Sequence, residues 1–174
     1  NGIATPTPTQ PGMTPNCDRF YLVKSGDTCA SIGAQHGIRP SRLRDWHMSV
    51  GETCNGLWAN AYVCVRTIGF QPQSSHTCSS STTDKTWGDN KDAALAAAVR
   101  WCSGSGGSGS YGLAAAKTGC YNAALGVNRF DFRISNNYGS PATLSSAKCT
   151  ELAQYLVNRC ERGGSGRQEG WDFW

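Results

Sequence analysis

The chain has 174 residues, a formal net charge of +4 and nine cysteines. That length holds one domain or two small ones, and so many cysteines point to an oxidising destination. The charge forms no dense Arg/Lys stripe, which excludes a nucleic-acid binder, and no apolar run is long enough to span a bilayer as a helix.

The chain begins at Asn1, so the expectation is a mature secreted protein freed of its signal peptide, or a fragment of a longer chain. There is no Cys-x-x-Cys pair, and His36, His47 and His76 sit near no paired-cysteine motif. No metal site and no cofactor is therefore expected.

Residues 1–16 carry Ala4-Thr5-Pro6-Thr7-Pro8-Thr9-Gln10-Pro11. Thr and Pro at this density predict an extended, exposed tether, open to O-glycosylation. Residues 17–66 predict the first compact unit. Phe20–Lys24 reads as a strand, running into the tight turn Ser25-Gly26-Asp27-Thr28. Gly26 can take a backbone conformation that other residues resist, and Asp27 or Thr28 can cap the next helix, Cys29–Gln35. Gly37 ends that helix, and Pro40 starts a second one over Ser41–His47. Ala61–Arg66 reads as the closing strand. A unit this small has little room for a core, and Cys17, Cys29, Cys54 and Cys64 can brace it with two bridges. Their pairing stays open at this stage.

Residues 67–86, rich in Ser, Thr and Gln and containing Pro72 and Cys78, read as a linker. Residues 87–174 predict a second unit. Asp89 can cap a helix over Lys91–Cys102, where Leu95, Val99 and Cys102 share a face. The Gly/Ser run 103–110 is a turn, and Tyr111–Lys117 a weak strand. Arg129–Ile134 alternates, with Phe130, Phe132 and Ile134 on one side. Leu144–Arg159 is the strongest helix. Cys149 and Cys160 lie about three turns apart on it, in line with Leu152 and Leu156. A disulfide at each end is expected, with Cys102 and Cys120 as partners. Cys78 is then left over, reaching across to the second unit or linking two chains. Glu169–Phe173 closes as a strand, with Trp171 and Phe173 inward. The fold class is α+β: a small βααβ unit, then an αββαβ sandwich with both helices on one face of an antiparallel sheet.

Gly26-Asp27-Thr28-Cys29, Trp46, Val50-Gly51, Leu57-Trp58 and Tyr62-Val63-Cys64-Val65 fall in the order of a fungal-type LysM module, and the segment resembles that family. Members bind N-acetylglucosamine oligomers in a shallow groove between two loops. Carried onto this chain, the resemblance implies contacts from Ser25, Gly26, Asp27, Thr28 and Cys29 on one side, and Met48, Ser49, Val50 and Gly51 on the other. Backbone groups would read the N-acetyl amide. One departure stands out. His47-Met48 occupies the place of the family's usual Asn-Pro, whose Pro stiffens the loop. The second unit is similar in layout, not in motif, to killer-toxin-like domains of secreted fungal effectors. No functional residue carries over from them.

Each of these side chains also has a structural reading. Trp46 and Trp58 are expected to plug the core, though either can stack on a sugar if exposed. Arg39, Arg42 and Arg44 read as a solvated face. His47 reads as a surface residue. Glu151 sits in a helix's first turn and favours its dipole. Asp131, Glu151, Glu161 and Glu169 are scattered, with no glycosidase-like pairing, and no catalytic residue is assigned. Trp174 reads as core-proximal or, if exposed, as a platform for a sugar or partner.

The function these readings predict is a secreted, wall-associated protein that recognises chitin or chito-oligosaccharides and carries a second, non-catalytic effector- or toxin-like unit. Homodimers, joined through Cys78 or by one sugar chain shared between grooves, would gain avidity. The alternatives are an antimicrobial toxin anchored to walls by the first unit, and a chitin- or peptidoglycan-degrading hydrolase.

Overall fold

The computed structural model describes residues 3–123 and 129–174, and the chain divides into two units after Pro72. The architecture is α+β. In the first unit, β1 (Cys17–Leu22) pairs antiparallel with β2 (Tyr62–Thr67). Helices α1 (Cys29–His36) and α2 (Pro40–Asp45) lie between them in sequence, followed by a 3-10 turn at Met48–Val50.

Local chemistry sets the ends of these short helices. Thr28 caps α1 through a reciprocal pair: Ser31 N donates to Thr28 Oγ1 at 3.1 Å, and Thr28 N donates to Ser31 Oγ at 2.9 Å. Such a cap stabilises a helix by about 1 kcal/mol. Gly37 closes α1 at φ 69°, with its N–H on Gly33 O. Pro40 starts α2, where its missing N–H costs nothing. Ile32, Ile38, Leu43, Val50 and Val63 form the core, each at most 1% exposed. Each such side chain adds about 1.5–3 kcal/mol by leaving water. Cys17–Cys64 clips β1 to β2, and Cys29–Cys54 ties the start of α1 to the loop before β2.

The predicted tether behaves differently from its composition. Thr9 forms a parallel bridge to Tyr62, Tyr62 N donates to Pro8 O, and Gln10 N donates to Tyr62 O. Thr14 N donates to Trp46 O. The segment is an arm laid along β2, not an exposed lead. An unpaired strand flank needs donors and acceptors, and prolines fit such an arm because only alternate N–H groups face the partner. Asn1 and Gly2 lie outside the described residues.

In the second unit, β3 (Ser74–Cys78), β5 (Ala116–Asn122), β6 (Arg129–Asn136), β8 (Gly164–Gln168) and β9 (Trp171–Phe173) make one antiparallel sheet in the order β3-β8-β9-β6-β5. A separate ribbon joins β4 (Gly109–Tyr111) to β7 (Ala142–Leu144). Helices α3 (Lys91–Ser103) and α4 (Ser146–Arg159) cover the face carrying Phe130, Phe132 and Ile134. Trp101 of α3 stacks on Phe132 at 5.6 Å, and Tyr155 of α4 meets Phe173 edge-on at 5.5 Å. Gly119 makes the Trp101 packing possible, since a Cβ there would come within 2.6 Å of the indole.

Three expectations for this region need correction. Residues 74–78, inside the predicted linker, form a full edge strand on β8. Their hydroxyl-rich sequence hid a strand whose role is backbone pairing. Asp89 does not cap α3; it lies in a 3-10 turn, Gly88–Asn90, that leads into the helix. The cysteine assignment also changes. Cys149 pairs with Cys102, but Cys160 pairs with Cys78, and Cys120 carries the free thiol. β5 extends through residue 122, and alternation along it sends Ala116, Thr118 and Cys120 outward. Cys120 therefore faces away from α4 and cannot reach it. Cys78 sits at the end of β3, opposite Gly164 and near the end of α4, and so closes the bridge.

Candidate functional site

The first loop follows β1 and is built around Asp27. Its Oδ2 accepts from Lys24 N at 2.8 Å and from Tyr21 OH at 2.9 Å. Gly26 turns the chain at φ 87°, in open space. Ser25 and Gly26 face solvent, while Asp27 and Thr28 spend their side chains on the turn and the cap. Cys29 is buried and bridged. Backbone groups of Lys24, Asp27 and Thr28 are bonded within the turn and cap, so the exposed Ser25 and Gly26 are what this loop offers to a ligand.

The second loop is held from beneath by His47. The sequence reading placed His47 at the surface, but its imidazole is fully buried. Nδ1 lies 2.8 Å from Leu43 O, and Cys64 N donates to Nε2 at 2.8 Å. A ring that accepts at Nε2 and meets a carbonyl at Nδ1 is neutral, with its proton on Nδ1. Burial pushes its pKa below the ordinary value, and the Leu43 carbonyl opposes this only in part. His47 thus anchors by bonding a loop in which Met48, the next residue, stands where the resembling family has its stiffening proline.

Above it, Met48 is 86% exposed and Gly51 is open, whereas Val50 belongs to the core. Ser49 is solvent-facing but engaged: its Oγ donates to Pro11 O and accepts from Gln10 Nε2. Arg44, Asp45, Met48, Gly51 and Glu52 line an open depression of about 410 Å3. Its walls come from α2 and the second loop alone.

Two links bring the loops into one surface. The Cys29–Cys54 bridge has a Cα separation of 6.1 Å. Val23 N donates to Ala61 O and Asn60 N to Val23 O, so the chain leaving the second loop runs beside the entry to the first. Trp58 lies on that stretch. Expected in the core, it is 57% exposed, because the unit is filled by Trp46, which packs edge-on to Phe70 at 5.3 Å. Arg42 also covers Phe70, and Arg44 donates to Glu52 O, so α2's arginines do more than solvate a face.

The LysM domain family matches residues 21–46, which run from β1 through the first loop to the end of α2. The first unit is a LysM domain. A LysM domain-containing protein of Arthroderma benhamiae is 55% identical over 75 residues, which is 43% of this chain and 16% of that protein. A secreted LysM effector of Beauveria bassiana is 51% identical over 73 residues, 42% of this chain and 19% of its own length. A secreted LysM effector of Aspergillus fumigatus is 53% identical over 68 residues, 39% of this chain and 18% of its own. The matched stretch thus spans less than a fifth of each of these relatives. No solved structure matches the chain. This LysM protein is secreted: relatives are named so, and four disulfides suit an oxidising exterior. No helix among the described residues is long and apolar enough to cross a membrane.

In the second unit Asp131, Glu151 and Asp172 are engaged in structural contacts. Asp131 pairs with Arg129 at 2.9 Å, and Asp172 with Arg167. Burial acts to raise Glu151, but hydrogen bonds from Lys148 and Gln168 outweigh it and hold the acid below its ordinary value. A depressed carboxyl is the wrong state for a general acid. His76, Cys78 and Cys160 cluster within 4.8 Å, but both sulfurs belong to one disulfide. The Cys120 thiol is held above its ordinary pKa, chiefly by its hydrogen bond to Asp131, so it stays protonated and weakly reactive. Trp174 is 44% exposed with the Arg133 guanidinium 5.0 Å from its ring.

Proposed function

We propose that this protein is a non-catalytic extracellular lectin for chitin and N-acetylglucosamine oligomers, with its groove between Ser25–Cys29 and Met48–Gly51. The observation that carries the reading is the pair of rigid, solvent-facing loops joined by Cys29–Cys54. Each loop is locked by side-chain hydrogen bonds, from Asp27 and Thr28 in one and from the buried His47 in the other. An N-acetyl amide would meet the exposed turn at Ser25 and Gly26 and the exposed stretch at Met48, Ser49 and Gly51. Met48 and Trp58 add apolar surface for the methyl group and sugar face. One shallow groove buries little area, so affinity per site is modest and gains from multivalency. A dimer linked through Cys78 is excluded by the Cys78–Cys160 bridge. Two grooves sharing one glycan is the homodimer this reading retains.

The names of the secreted LysM effectors among the relatives support an extracellular effector role, and on the lectin reading that role is to cover chitin at a fungal wall or shield it from recognition. The second unit is the effector- or toxin-like partner of this lectin, displayed wherever the first unit holds the wall. Engagement of Asp131, Glu151 and Asp172 in structural pairs supports a binding role over hydrolysis.

The test is calorimetry of the oxidised chain with chitohexaose, followed by mass analysis of the sugar. A saturable heat with intact oligomer is expected. Absence of heat overturns the lectin reading, and shortened oligomers overturn its non-catalytic part.

A further inference from the structure

Gln10 is a buried polar side chain with three hydrogen bonds, and it comes from the arm rather than from the βααβ frame. It is 1% exposed. Its Nε2 donates to Gly56 O and to Ser49 Oγ, both at 2.9 Å, and its Oε1 accepts from Trp58 N at 2.9 Å. Its own N–H is fixed on Tyr62 O. One amide thus joins three points of the segment 49–58, the stretch that carries the second loop and the exposed Trp58 indole. The clamp sits in a tight place. Gly56 N also donates to Val50 O, and a Cβ on Gly56 would lie 2.3 Å from Ser49 O. Gly12, two residues along the arm, packs on the Met48 and Ser49 backbone at 3.4–3.8 Å from an added Cβ.

We propose that Gln10 is a positioning residue for sugar binding: it holds segment 49–58 so that the Trp58 ring forms one wall of the groove. This rests on the lectin reading and deepens it. A buried amide with three of its four side-chain bonds made is costly to disturb, because its truncation leaves Gly56 O and Trp58 N without that partner. Both groups lie in the loop, whereas the β1–β2 ladder and the two disulfides stand without Gln10. The effect of losing it falls on loop shape before it falls on the fold.

The experiment uses the full oxidised chain, chitohexaose calorimetry and residue-resolved amide exchange. Gln10→Ala is expected to bind at least about tenfold more weakly. In the same variant the Trp58 amide should lose protection while the Val63 and Cys64 amides keep theirs. Trp58→Ala removes only an exposed ring, leaves the Gln10 bond to the backbone, and is expected to weaken binding about as much with protection unchanged. Wild-type affinity in either variant overturns the proposal alone. Loss of protection at Val63 and Cys64 together with Trp58 overturns it too, since Gln10 is then a fold residue without a separate role. If the unaltered chain gives no saturable heat, the lectin reading falls and takes the proposal with it.

Discussion

His47 shows how one side chain can couple acidity to the binding loop. Its pKa is lowered by burial, so the folded state resists the proton that the unfolded chain accepts near the ordinary 6.5. Stability from this group is fully present above that value and is lost as pH falls toward the folded pKa. His36 is also lowered, first by burial and then by Arg19, with Asp27 opposing, so it acts with the same sign. A melting series should therefore show the first unit losing stability from pH 7.5 to 5, and His47→Gln should be less stable at pH 7.5 with a flatter profile. A pH-independent melting temperature would refute this. Asp27 supports the neighbouring loop in the same local manner. Asp27→Ala removes the acceptor for Lys24 N and Tyr21 OH. The expected cost is about 1–3 kcal/mol in thermal unfolding, with weaker chitin binding. Loss of binding in that variant reports loop geometry as much as any direct contact.

At the scale of elements, turn and cap chemistry was the most legible part of the sequence. Gly37, Pro40 and Thr28 mark helix ends through effects that act within a few residues. Alternation along Arg129–Ile134 and the stripe on α4 were equally local. What stayed hidden depends on partners far away in the chain. Nothing in Thr-Gln-Pro announces that Gln10 will find Gly56 and Trp58, since a lone amide has no periodicity. β3 is polar along its length because pairing with β8, not burial, holds it. His47 and Trp58 exchanged their expected places for the same reason: which one fills a small core is a matter of packing. Of the first unit, the turn after β1 and the four bracing cysteines were readable, whereas the pairing of those cysteines and the arm were not. The cysteines give a sharp test. Cys120→Ser should leave folding and stability unchanged, whereas Cys78→Ser should free Cys160 and cost about 2–5 kcal/mol. Peptide mapping of the oxidised chain should recover Cys78 linked to Cys160. Gly56→Ala should destabilise the first unit by about 1–3 kcal/mol, because backbone oxygens of Ser49 and Val50 crowd the new methyl.

For the whole molecule, the division after Pro72 predicts that residues 3–72 fold alone once oxidised. That fragment should bind chitohexaose with the affinity of the full chain, as calorimetry can check. Residues 17–72 should bind more weakly, since they lack the arm. The two bridges of the first unit join Cys17 to Cys64 and Cys29 to Cys54, and the other two join residues beyond 77. No covalent staple ties one half to the other. A protease that nicks the chain near Pro72 is therefore expected to leave each part closed by its own two bridges, which electrophoresis without reductant after limited digestion can check.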